Sequence, residues 1–155
     1  MIYQKQCRYS VDEVDGPLRA AAARHKFGVL GVLDMTSTLR NKGIELGQEV
    51  RVYDICNPQA AAQALGENLA VATLLPCRIA VYSSAGGCVI AMVHPTDLFA
   101  ASGLERSGSL AADVEREMMG IVDEAAVSSQ SLFTIFMHRG VEASRQLYAA
   151  MRLGP

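Results

Sequence analysis

Apolar and polar positions change their spacing several times along the chain, and each change marks an element. Tyr3, Cys7 and Tyr9 fall on odd positions in the mixed stretch 2–9, the spacing of a strand. Ser10-Val11-Asp12-Glu13 reads as a capping box, and Val11, Val14, Leu18, Ala22 and His25 follow at helical spacing. Counted from Ser10, Pro17 lies beyond the first turn and would remove a backbone hydrogen bond. A regular helix that begins at Asp15, after a looser turn, avoids that loss. Residues 27–33 form a near-continuous apolar run and predict a buried strand. Residues 34–42 predict a short helix closed by Gly43, and the alternation over 50–55 predicts a third strand.

Asn57-Pro58 combines a capping residue with proline at the first helical position, a strong helix start. Ala60, Ala61, Ala62, Ala64 and Leu65 continue that helix, and 69–76 reads as an apolar loop. Residues 77–83 and 88–94 predict a hairpin around Ala85-Gly86-Gly87. Pro95 stops its second strand, and Thr96 caps a short helix through Ala101. From Ser109 onward the pattern is helical. Leu110, Val114, Met118, Ile121, Val122 and Ala125 share one face, and the other face is acidic. A second helical stretch over 131–153 carries Arg139, Arg145 and Arg152 against Glu142.

Strand and helix alternation would also suit a parallel doubly wound sheet. The hairpin argues against it, because tight turns join antiparallel strands. The expectation is one α+β domain: a mainly antiparallel sheet of about five strands over 1–104, and a helical extension over 105–155. The extension packs on its own core or on a second subunit. Phe133, Phe136, Met137, Val141, Leu147, Tyr148 and Met151 are too many large apolar groups for a solvated tail. Use of that patch twice about a two-fold axis predicts a homodimer.

Composition narrows the function classes. The chain has 155 residues, 22 of them alanine and none tryptophan, so its apolar content is made of small side chains suited to close helix packing. A formal charge of −2 argues against a nucleic-acid partner held by phosphate neutralisation. The uncharged stretch 79–96 is interrupted by Ser83-Ser84-Ala85-Gly86-Gly87, so it reads as a hairpin and not as a membrane span. The N-terminal residues lack the apolar region of a signal peptide, which predicts a cytoplasmic protein. Its four cysteines are then expected to be reduced thiols.

Cys56 and Cys77 are the candidate functional thiols. One ends a strand before a helix N-terminus, where the dipole favours thiolate, and the other begins a strand after an apolar loop. Facing one pocket, they could carry redox or sulfur chemistry. The alternative is that both are small buried hydrophobes. No C-x-x-C or H-x-x-x-H spacing supports a metal, which would need Cys56, Cys77 and a third ligand such as His94 or Asp97. Asn57, Pro58, His94 and Asp34 complete the candidate pocket. His94 reads as a base, a ligand or a polar strand terminus, and Asp34 as a helix cap or a cleft carboxylate. His25 sits at a helix C-terminus, where a cationic ring complements the dipole. Gly86-Gly87 lacks the Lys and Ser/Thr of a phosphate loop. No cofactor is implied.

Phe27-Gly28-Val29-Leu30 leading to Asp34, then Ile55-Cys56-Asn57-Pro58, Ala61 and Ala64-Leu65, Leu74-Leu75-Pro76-Cys77, and His94-Pro95 together resemble the family called domain of unknown function 302. The resemblance covers roughly residues 10–100. It implies a curved antiparallel sheet with helices on one face, similar to the TATA-binding-protein-like arrangement, in small cytoplasmic proteins that are often dimers. It implies no DNA binding, because fold does not imply function. The chain after Ser102 is longer than the family core, and Gly31 stands where relatives carry a bulkier polar residue. The functional expectation is a non-enzymatic module for a small apolar ligand or a protein partner; the alternative is a thiol-dependent redox or sulfur-handling protein using Cys56 and Cys77.

Overall fold

A computed structural model describes residues 1–104 and 108–127. Its elements are β1 (Ile2–Cys7), α1 (Asp15–Arg24), β2 (Gly28–Asp34), α2 (Met35–Arg40), β3 (Val50–Cys56), α3 (Pro58–Glu67), a 3₁₀ helix (Leu69–Leu74), β4 (Cys77–Ser84), β5 (Gly87–Val93), α4 (Pro95–Ser102) and α5 (Gly108–Ala126). The strands form one antiparallel sheet in the order β1-β5-β4-β3-β2. The fold is α+β, as the hairpin requires: Ala80↔Ala91 through Ser84↔Gly87 pair β4 with β5.

Strand alternation sends one set of side chains to the helices. Cys7, Tyr53, Ile55, Ile79, Val81, Cys88, Ile90 and Met92 are buried on that face. α1 adds Leu18, Ala21 and Ala22, and α5 adds Met118, Ile121, Val122 and Ala125. Burying one Ile or Leu side chain is worth roughly 1.5–3 kcal/mol, so this layer supplies most of the drive to fold. The α1 alanines let α5 lie close, which is the packing that the alanine-rich composition suits. Because α5 completes this core, a boundary at residue 104 would divide a single hydrophobic layer. By strand alternation the opposite face carries Ile2, Val52, Ala80, Tyr82 and Val89.

Local chemistry sets the element ends. Ser10 and Glu13 do form a reciprocal capping box, at 3.2 Å and 2.8 Å, but it closes a turn before the regular helix. α1 itself starts at Asp15, which leaves Pro17 in its first turn. It ends at Arg24, and the chain reverses just beyond, at Lys26, where φ is +62° and Phe27 N–H turns back to donate to the Ala22 carbonyl at 2.8 Å.

Three expectations need correction. β2 is not buried: it is an edge strand, with Leu30 67% and Leu33 49% exposed, and a bulge leaves Leu30 out of register. An edge strand has a neighbour on one side only, so an apolar run there need not be covered. The apolar stretch 69–76, expected as a loop, contains the 3₁₀ helix, capped by the Asn68 side chain accepting from Ala70 N–H at 2.9 Å. α4 begins at Pro95 with His94 as its cap residue; Thr96 N–H is instead satisfied by Glu115 of α5 at 3.1 Å. The second helical stretch, its apolar groups from 133 to 151, and His138 lie outside the described residues. No helix among the described residues is long and apolar enough to cross a membrane.

Candidate ligand cavity

The ends of β3 and β4 meet beside α3. Asn57 holds the start of α3, its side-chain oxygen accepting from Ala60 N–H at 3.1 Å, and Pro58 fixes the first helical position. Alanine at 60, 61 and 64 leaves that helix face without bulk. The 3₁₀ helix and the cis Leu75-Pro76 bond bring the chain back to open β4 at Cys77. α4 and α5 close the other side with Leu98, Phe99, Leu110 and Val114. Between them lies a cavity of about 320 Å³.

Its wall is apolar, and its polar side chains have partners of their own. Asn57 caps α3, Thr73 Oγ1 donates to the Ala70 carbonyl at 2.8 Å, and Arg78 Nε donates to Asp54 at 3.2 Å. Cys56 and Cys77 both line the cavity. Cys77 pairs with Ile55 across β3 and β4, so Cys56 is one residue further along. Cross-strand partners sit about 4.5–5.5 Å apart, which puts the two thiols in one neighbourhood.

Their ionisation runs against the expected helix-dipole effect. Burial raises the Cys56 pKa. Burial, with a smaller contribution from Cys56, pushes Cys77 up to about 11. The low-dielectric wall disfavours the anion more than the α3 N-terminus favours it.

Of the candidate pocket residues, Cys56, Cys77 and Asn57 come together on this wall. Pro58 heads α3 and is not among the lining residues. His94 lies between the lining residues Val93 and Pro95, but its ring faces elsewhere. Nδ1 is 3.1 Å from Glu115, and Tyr3 packs edge-on at 6.0 Å. Asp34 is at the opposite end of the sheet, paired with Arg51, five residues along β3 from Cys56, about 17 Å at the usual strand rise. It caps α2, accepting from Ser37 N–H at 2.8 Å and Ser37 Oγ at 2.9 Å. Among the described residues, no three His, Cys, Asp or Glu side chains gather as a metal site.

Sequence reasoning missed the α4 and α5 walls. The signal was present in the helical stripe of Leu110 and Val114, but spacing alone does not say what a stripe covers. It also missed the setting of His25. Its two ring nitrogens meet Glu117 at 2.7 Å and Glu124 at 3.0 Å, and Arg24 joins Glu124 at 2.7 Å. Gly120 makes room for the ring: a Cβ there would sit 2.5 Å from it.

A five-stranded antiparallel sheet, one face under helices and an apolar cavity at its end, defines a small α+β protein built around a hollow. Among the described residues, its wall carries no assembled acid–base pair. The chain belongs to the family described as Domain of unknown function DUF302, which matches residues 3–125. That match takes in α5. Among solved structures, the chain is similar to the uncharacterized conserved protein DUF302 from Bacillus stearothermophilus. The TM-score is 0.76 at 31% identity, covering 80% of this chain and 97% of that one. No curated protein matches the chain.

Proposed function

We propose that the chain is a non-enzymatic binding module whose cavity beside α3 takes a small apolar ligand. The observation that carries this reading is the cavity itself. Its volume of about 320 Å³ falls within the range of small-molecule sites, and its polar groups already have protein partners. An apolar guest would then bind by displacing water from an apolar wall.

A neutral fluorescent probe, N-phenyl-1-naphthylamine, tests it. The expected result is saturable binding at one site, weakened at least tenfold by Ala61→Trp, which fills the cavity. Ala62→Trp, on the exposed side of the same helix, leaves binding unchanged. Absence of saturable binding, or equal loss in both variants at equal melting temperature, refutes the reading.

The adjacency of Cys56 and Cys77 on the same wall favours a second reading, thiol-dependent redox or sulfur handling. It requires a thiolate, and burial opposes one. Modification of either thiol by iodoacetamide in the folded protein at pH 7 supports it. Modification only after unfolding removes it.

A further inference from the structure

The second pair of cysteines lies outside the cavity and has a different geometry. Cys7 ends β1, Cys88 is the second residue of β5, and the two are direct cross-strand partners. Both are buried, at 4% and 0% exposure. Their sulfurs are 2.6 Å apart although 81 positions separate them in sequence. Direct cross-strand partners have α carbons about 4.5–5.5 Å apart, inside the window of about 4.4–6.8 Å that a disulfide needs. The close approach is built into the chain beside it. A Cβ at Gly87 would lie 2.1 Å from the Cys7 carbonyl oxygen, so only glycine lets the end of β1 close over the hairpin this tightly.

We propose that Cys7 and Cys88 form a reversible disulfide, a redox-sensitive staple that fastens the edge strand β1 to the sheet. The oxidant is a low-molecular-weight disulfide. As the β1 end frays, the Cys7 thiolate attacks one sulfur of the oxidant and releases one equivalent of small thiol. The Cys88 thiolate then attacks Cys7 in the mixed disulfide and releases a second. Two protein thiols lose two electrons and two protons, and one small disulfide becomes two small thiols. Burial and the neighbouring Cys7 hold Cys88 well above the usual thiol range, so exchange is slow in the closed sheet and proceeds through the opened edge. The staple acts on more than its own strand. β1 carries Tyr3 and Lys5, which hold Asp123 of α5, and its Met1 carbonyl accepts from His94 N–H at 3.0 Å, next to the cavity residue Val93.

The test is equilibration of the folded protein with oxidised glutathione, followed by blocking of free thiols, proteolysis and mass spectrometry. The expected product is a chain lighter by two hydrogens with a Cys7–Cys88 linked peptide, reversed by dithiothreitol. Its melting temperature is higher by about 5–10 °C, since a bond closing so long a loop restricts the unfolded chain. The Cys56→Ser/Cys77→Ser double variant behaves the same, and Cys7→Ala and Cys88→Ala lose both changes. Peptide mapping of the unsubstituted protein decides the matter even if a variant fails to fold. Four unmodified thiols after equilibration, a linked peptide joining other cysteines in place of this pair, or a bond that leaves the melting temperature unchanged overturns the proposal.

Discussion

The two edges of the sheet are held in opposite ways. β1 has a polar sequence, Ile-Tyr-Gln-Lys-Gln-Cys, yet it is pinned along its length. The Tyr3 hydroxyl donates to Asp123 of α5 at 2.7 Å, Lys5 pairs with the same carboxylate at 3.3 Å, and Cys7 is buried against Cys88. β2 is the more apolar strand, Gly-Val-Leu-Gly-Val-Leu-Asp, and it is the looser edge. Leu30, Val32 and Leu33 are exposed, and the neighbouring helix α1 is fastened to α5 where His25 and Arg24 meet Glu117 and Glu124. An edge strand is secured by the helix that reaches it more than by its own hydrophobicity.

The largest effect should separate covered from uncovered strand positions. Ile90 of β5, beside β1, is fully buried, and Ile90→Ala should cost about 2–5 kcal/mol. Leu33 of β2 is half in water already, so Leu33→Ala should cost less than about 1 kcal/mol. Urea unfolding of both variants checks this. Equal costs would mean that the outer edge is covered in solution and would break the comparison.

A glycine of β5 packed against the end of β1 and one within β2 give the next largest contrast. Gly87→Ala drives a Cβ into the Cys7 carbonyl at a φ of +156°, which should cost about 1–3 kcal/mol as the β1 end is displaced. At Gly31 of β2 an added Cβ would meet nothing within 4 Å, so Gly31→Ala should be neutral or stabilise by about 0.5 kcal/mol through the unfolded chain. Thermal unfolding with amide exchange over β1 reads both. Exchange in β1 should accelerate in Gly87→Ala alone.

Much of this is legible in the sequence, and the failures share a cause. The strand and helix order, the hairpin, the Asn57 and Asp34 caps and the start of α1 at Asp15 all follow from local chemistry, which the sequence carries directly. The exposure of β2 does not, because an apolar run reads the same whether it sits at the centre or the edge of a sheet. The Cys7–Cys88 pairing depends on β1 joining β5, a register set by contacts far apart in the chain. Cys56, Cys77 and Asn57 come together because they flank one connection. His94 and Asp34 drop away from them because α5 captures the first and the length of β3 separates the second.

The pH response should come from the β2 side. Burial works against a charged His25 ring, but the hydrogen bonds to Glu117 and Glu124 outweigh it and raise the pKa above the ordinary value. A group whose folded pKa is raised contributes stability that is full below its unfolded value, about 6.5, and lost as pH rises through the folded one. Glu124 has the opposite sign. Arg24, with help from His25, lowers its pKa, so its contribution is present above the unfolded value, about 4.3, and lost as pH falls through the folded one. The α1–α5 junction should therefore be strongest between about pH 4.5 and 6.5. Melting temperatures should fall by a few degrees between pH 6 and pH 9 in the unsubstituted protein and less in His25→Gln. An identical slope in both would remove His25 as the source.

The smallest effect belongs to the polar ties of β1. Tyr3→Phe removes one hydroxyl that donates to an Asp123 half exposed to solvent, while the ring keeps its edge-on contact with His94. A hydrogen bond to a charged group can be worth more than 1 kcal/mol when buried, but solvent screening at this surface should reduce the loss to about 0.5 kcal/mol. The loss should shrink further in high salt, because the Lys5 pair beside it is screened as well. Global unfolding will barely register it; amide exchange at Gln4 and Gln6, on the strand that the hydroxyl holds, is the sensitive measurement. If exchange there rises severalfold in Tyr3→Phe while β2 is unchanged, the polar contacts to α5 are what fasten this edge. If neither edge responds, β1 is held by Cys7 and its ladder to β5 alone, and the difference between the edges lies in packing.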